Sequence, residues 1–187
     1  DGITVYNPSH LGGVFSNFIV DGVKEAELIK GAYNAEYGGR LSAVLNVISR
    51  EGNKNEFKGK ANLSLLSAQT TLEGPFYKGA WVLSGRRTYF DLVLPKVLPE
   101  GVASNIPPYY FYDIQSHVFS DITPKDRISL SYYSGIDDII FDTFGLDGRW
   151  GNNTISGHYR RVFNERLVGN FLLANSRFFT EFGYTLP

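Results

Sequence analysis

Cysteine is absent from this 187-residue chain, which removes disulfide staples, thiol nucleophiles and Cys-based metal sites together. Methionine is absent too, so residue 1 is expected to be an internal position of a longer protein. No apolar run approaches 18 residues, and this excludes a transmembrane helix. A membrane β-barrel needs no such run, because its strands are apolar on one face only. The net charge of −1 leaves no global field to steer the chain toward nucleic acid. His10, His117 and His158 are far apart and lack i, i+4 or HExxH spacing, so no metal site is expected from them. Neither a GxxxxGK[ST] nor a GxGxxG loop is present, and no Ser/His/Asp arrangement is suggested. The expectation is therefore a non-enzyme, with no catalytic residue, cofactor or metal.

What the chain has in abundance is aromatic residues, with 14 Phe, 12 Tyr and 2 Trp. Tyr and Trp join an apolar ring to a polar tip, which suits a membrane–water boundary, a β-sandwich or a carbohydrate site. Residues 1–13 are rich in turn signals, and Val14–Val20 is a short apolar segment compatible with a strand or one helical turn. In Lys24–Lys30 the residues Ala26 and Leu28 alternate with Glu25 and Glu27, which favours a strand. Ala43–Ser49 is a β-branched run of the length of a buried strand. A charged linker at Arg50–Asn55 divides the chain into residues 1–53 and 54–187.

The second part reads as hairpins. Phe57–Glu73 alternates and then shifts register at Leu65-Leu66, as a bulge would. Gly74–Gly79 is a turn, and Ala80–Leu92 returns. A Pro-rich link leads to Tyr109–Phe119, a polar turn at 120–126, and the two-faced strand around Ile128, Leu130 and Tyr132. A long loop is expected from Gly135 to Asn153, with acidic residues Asp137, Asp138, Asp142 and Asp147 solvated in it. Thr154–Phe163 and Leu167–Phe182 form a last pair. The fold class expected is mainly β, with about six antiparallel strands linked by alternating short and long connections, the pattern of an incomplete transmembrane barrel.

Residues 8–53 resemble the second half of the plug domain of TonB-dependent outer-membrane receptors, in the Bacteroidetes-like variant. The residues that carry this are Ala26-Glu27-Leu28-Ile29-Lys30-Gly31, then Ala35–Arg40, then Ser42–Gly52, in order and directly ahead of barrel-like strands. Trp81–Asp91 looks like an early barrel strand of the same subgroup. The resemblance implies an α+β plug half at 1–53 and the first strands of a 22-stranded barrel at 54–187, placed in a bacterial outer membrane. It also implies active nutrient import of a siderophore, cobalamin, glycan or peptide. Partners would be the TonB–ExbB–ExbD system through an N-terminal segment not in this chain, the lipid bilayer and a surface lipoprotein.

Under that resemblance Glu36, Tyr37, Gly38, Gly39 and Arg40 form a latch between plug and barrel wall. Arg86 and Arg87 are adjacent on one strand, so they point to opposite faces, and one of them faces the lumen. Trp81, Tyr89, Tyr110, Tyr112 and Tyr132 are candidates for the membrane-interface girdle. Two other classes compete: a surface β-domain or adhesin using its aromatics on carbohydrate, and a β-rich glycosidase with paired carboxylates.

Overall fold

The computed structural model describes residues 2–31, 37–38, 43–103, 106–141 and 145–184. Its dominant element is one antiparallel sheet of seven strands in simple sequence order. These are β5 (Lys58–Leu63), β6 (Ser67–Phe76), β7 (Gly79–Thr88), β8 (Tyr109–Thr123), β9 (Asp126–Phe141), β10 (Leu146–Asn164) and β11 (Leu167–Tyr184). Strands β5 and β11 are its two edges. Ahead of it, β1 (Ser9–His10) pairs with β2 (Phe15–Ser16), and β3 (Val23–Lys30) pairs with β4 (Ala43–Ser49). The strand expectation at 24–30 and the buried-run expectation at 43–49 both correspond to observed strands. Segment 14–20 divides between strand β2 and the start of a 3-10 turn at Val20–Gly22.

Three expectations about the hairpins need correction. The register shift at Leu65-Leu66 is a turn, not a bulge: Ser64 Oγ accepts from the backbone N–H of Leu66 and Ser67 and closes the β5–β6 hairpin. The wall therefore has seven strands rather than six. The supposed loop at 135–153 is mostly strand, because β9 and β10 pair without a break from Arg161↔Asp126 up to Leu146↔Phe141. Its Gly and Asp content reads as loop composition, yet the cross-strand ladder satisfies the backbone, and Asp137 and Asp138 find partners. The Pro-rich link contains a helix, α1 (Phe90–Val97), and a single turn, α2 (Glu100–Ala103).

The other connections are tight. Tyr77-Lys78 alone joins β6 to β7, with Tyr77 at φ 50°. Pro124-Lys125 joins β8 to β9, where Thr123 Oγ1 accepts from Lys125 N–H at 3.2 Å. Glu165-Arg166 joins β10 to β11, where Asn164 Oδ1 accepts from Arg166 N–H at 2.9 Å. Register shifts fall beside two of these turns, at Asp121/Thr123 and Val162/Asn164.

The faces of the sheet differ in chemistry. One face is covered by residues 2–22 and 49–54 and is polar: Ser84 is 0 % exposed, Asp113 1 %, Thr154 3 % and Ser156 4 %. The opposite face is apolar and open: Leu83 is 41 % exposed, Ile114 42 %, Leu130 46 % and Ile155 45 %. Strict alternation keeps these sets apart, since Ser84↔Gln115 and Thr154↔Tyr133 share the covered face while Leu83↔Ser116 and Ile155↔Tyr132 share the open one. A water-soluble sheet normally has the reverse polarity. Here the compact apolar core is small, built around Ile19, Ala80, Val82, Phe111 and Phe119.

Close approach at the tight end depends on glycine. A Cβ on Gly79 would overlap the Phe119 carbonyl oxygen, whereas one on Gly157 meets nothing within 4 Å. Gly79→Ala is expected to lower stability by about 1–3 kcal/mol, the scale of overpacking strain. Gly157→Ala should leave the thermal midpoint of the purified protein unchanged.

Candidate functional site: a buried charge cluster between segment and wall

The N-terminal segment lies across the covered face and touches most of the strands. Ser176 Oγ on β11 donates to Thr4 O, and Asn152 on β10 accepts from Tyr6 N–H and donates to Asn7 O. Farther along, Gln115 Nε2 on β8 donates to Gly22 O, and a Cβ on Gly22 would lie 3.1 Å from Ser84 Oγ. That glycine lets the segment's backbone rest directly on the wall.

The densest contact is built on His10. Its ring is fully buried and stacks on Phe111 with centroids 4.0 Å apart and planes 7° from parallel. Nδ1 lies 2.8 Å from Asp137 Oδ2 and Nε2 lies 2.8 Å from Asp113 Oδ1. A neutral imidazole has a single N–H, so only the imidazolium donates to both carboxylates at once. The third strand supplies Arg86, whose Nε donates to Asp113 Oδ2 at 2.9 Å and whose Nη2 donates to Ser16 O. Tyr133 OH donates to Asp113 Oδ1 at 3.0 Å, and Tyr109 OH donates to Asp137 Oδ1. Tyr109 OH in turn accepts from Leu11 N–H at 3.0 Å. Leu11 reaches it from a turn in which Leu11, Gly12 and Gly13 all have positive φ (46°, 63° and 106°).

Two carboxylates thus face two cations, and the cluster is electroneutral with His10 protonated. Burial by itself lowers the His10 pKa, but hydrogen bonds to and charges of Asp113 and Asp137 outweigh it and hold the pKa above the ordinary 6.5. Gly135 completes the fit: a Cβ there would overlap Tyr133 Oη and lie 2.7 Å from Asp113 Oδ1.

Three smaller clusters tie the segment down nearer the short turns and at β5–β6. Arg50 donates to both oxygens of Glu73 at 2.9 and 2.8 Å and to Asp21 O. The Asp21 carboxylate accepts from Lys60, Asn62 and Gln69. Arg127 joins Glu51 to Asp121, which also accepts from Lys54. Partly exposed pairs such as Arg127–Glu51 contribute little singly, so the buried His10 cluster dominates.

Of the residues singled out from sequence, Arg86 belongs to this cluster. Arg87 lies on the open face, pairs with Asp91 at 2.9 Å and stacks over Tyr110. Glu36, Gly39 and Arg40 lie outside the described residues; Tyr37 is half-buried and Gly38 is exposed in a turn. Trp81, Tyr110, Tyr112 and Tyr132 are on the open face. Tyr110 donates to Asp138, and Tyr112 and Tyr132 accept from Arg149 and Asn153. Tyr89 instead braces the β5–β6 turn, donating to Ser64 O and Ser67 O. Asp137 and Asp138 belong to β9 and Asp147 to β10, which corrects their placement in a solvated loop, while Asp142 is outside the described residues.

Sequence reading gave no place in a buried cluster to His10, Asp113 or Asp137, and it grouped Tyr109 and Tyr133 with the interface aromatics, whereas both are buried on the covered face. One signal was available: Asp113 sits among Tyr110, Tyr112 and Ile114 on the opposite parity, which marks a carboxylate on the polar face of a long strand.

Removing Asp113 would leave His10 and Arg86 without their shared counter-ion. Asp113→Ala is expected to destabilise the protein by about 3–5 kcal/mol in equilibrium urea unfolding. The pH response has a defined sign. A raised folded-state pKa means the His10 contribution is fully present below pH 6.5 and is lost as pH rises through the folded value. With no native cysteine, a spin label on Val14→Cys reads this cleanly: it should stay immobile at acid pH and become mobile on the alkaline side, and His10→Gln should abolish the transition. Comparison with protein-family models, curated proteins and solved structures found no match to this chain.

Proposed function

We propose that this chain is the plug-and-wall part of a TonB-dependent outer-membrane receptor that imports a nutrient. The observation that carries the reading is the polarity of the seven-stranded sheet, apolar on its open face and polar beneath the N-terminal segment. Two polar rows bound the open face. Tyr110, Asp138, Arg149 and Glu181 lie in one register row with Arg87 one outward position nearer the middle, and Asp126 and Arg161 lie near the short turns. On β9 the outward positions Ile128–Ile136 span about 26 Å of strand at ~3.3 Å per residue. At the ~40° tilt usual for membrane barrels this is roughly 20 Å, and about 30 Å with the flanking rows included, bracketing the ~25 Å apolar band of such barrels. Among the described strands, the charged outward residue between the rows is Arg177, two outward positions from Glu181 on the same strand, with a side chain long enough to snorkel toward the upper row.

In this reading, residues 2–22 and 49–54 act as a stopper on the lumenal face of the wall. Import then requires a force that breaks the His10–Asp113–Asp137–Arg86 cluster and the smaller ion pairs, with no covalent step. A buried, satisfied charge cluster suits such a gate, because it adds little net stability but is costly to separate from one side. Open edges at β5 and β11 cannot face hydrocarbon, where each unpaired backbone group costs several kcal/mol, so the working receptor needs further wall strands from the rest of the protein.

Lipid contact tests the reading. Single tryptophan or labelled cysteine probes at Leu130 and Ile155 in reconstituted full-length protein should be quenched by lipids brominated on their acyl chains, and probes at Gln115 and Ser156 should not. Equal quenching on both faces, or on neither, would remove the membrane assignment. Uptake that persists without TonB would remove the energy coupling.

A further inference from the structure

Between the β3–β4 hairpin and the covered face, toward the short turns, lies a cavity of about 210 Å³. Its lining carries Lys24 from β3, Arg127 from β9, His158 and Arg160 from β10, and the carboxylate of Glu51. We propose that this chamber binds a small oxyanion, a carboxylate- or phosphate-bearing molecule.

The charge balance is the first reason. Glu51 is already committed to Arg127, at 2.9 Å, and Arg127 is shared with Asp121. Arg160 and Lys24 add two further positive charges to the lining, and among the described residues no carboxylate of the lining is left to neutralise them.

The register is the second reason. Arg160 is the direct cross-strand partner of Arg127, and both side chains lie on the covered face. Like charges directly opposite on adjacent strands are unfavourable unless something negative lies between them. With Arg127 held by Asp121 and Glu51, Arg160 with His158 one position along the same face offers the planar, forked donor suited to carboxylate or phosphate oxygens. His117, whose Nδ1 is 2.9 Å from Ser131 Oγ, closes the chamber toward β8. The volume admits a small organic acid or phosphate ester rather than a polymer.

This inference stands apart from the import reading, because equilibrium binding needs neither energy coupling nor a membrane. The test is isothermal titration calorimetry of the full-length protein in detergent with inorganic phosphate and with citrate. Binding is expected, weakening with added salt. Arg160→Gln should weaken it at least tenfold, and Lys24→Gln should weaken it further. Glu51→Gln removes the acidic wall and releases Arg127, so it should tighten binding. Circular dichroism confirms that each variant is folded. Failure of both anions to bind the wild-type protein below about 10 mM, or an Arg160→Gln affinity equal to wild type, would overturn the proposal.

Discussion

Asp113 is a carboxylate with almost no access to water, in the middle of a wall strand. An ion in that position has to be neutralised and hydrogen-bonded, because the desolvation penalty amounts to several kcal/mol. Arg86 from the neighbouring strand meets half of the requirement. The rest comes from His10, more than a hundred residues away in sequence, and this ties the N-terminal segment to the wall. Once His10 is seated between Asp113 and Asp137, the turn at Leu11–Gly13 and the course of residues 2–22 over the sheet follow from chain connectivity.

The same logic explains why so many polar side chains are buried on one sheet face. Ser176, Asn152 and Gln115 there bond the segment's backbone, and Thr71 bonds Ser84 at 2.9 Å. A polar surface of this kind excludes water only while the segment stays in place. The interface is assembled from discrete charge clusters, one buried and three part-exposed. The His10 cluster is the one whose strength depends on protonation.

The cation-lined chamber obeys a different balance. At the His10 cluster charges cancel; near the short turns Arg160 and Lys24 are left over. Two sites on one sheet face thus have opposite tendencies, one closed by internal neutralisation and the other open to an external anion.

Much of the wall was legible from local sequence, because period-two alternation with β-branched and aromatic residues follows directly from pleat geometry. Strands around 80–88, 109–119 and 127–132, the strands at 24–30 and 43–49, and the opposed directions of Arg86 and Arg87 all come from that one rule, whereas the end of the strand expected at Ala80–Leu92 opens helix α1 at Phe90. Composition misled where the ladder overrode it: Gly135–Asn153 has loop chemistry but pairs as strand, and Ser64–Leu66 is a turn held by a serine hydroxyl. The charge cluster was not legible, since His10, Arg86, Asp113 and Asp137 have no fixed spacing. Only the antiparallel register, which sets Arg86 opposite Asp113 and Phe111 opposite Asp137, and the fold-back of the first residues bring them within hydrogen-bonding distance. Side-chain alternation is a local property of the chain, whereas charge compensation across a hundred residues exists only once the backbone has closed the distance.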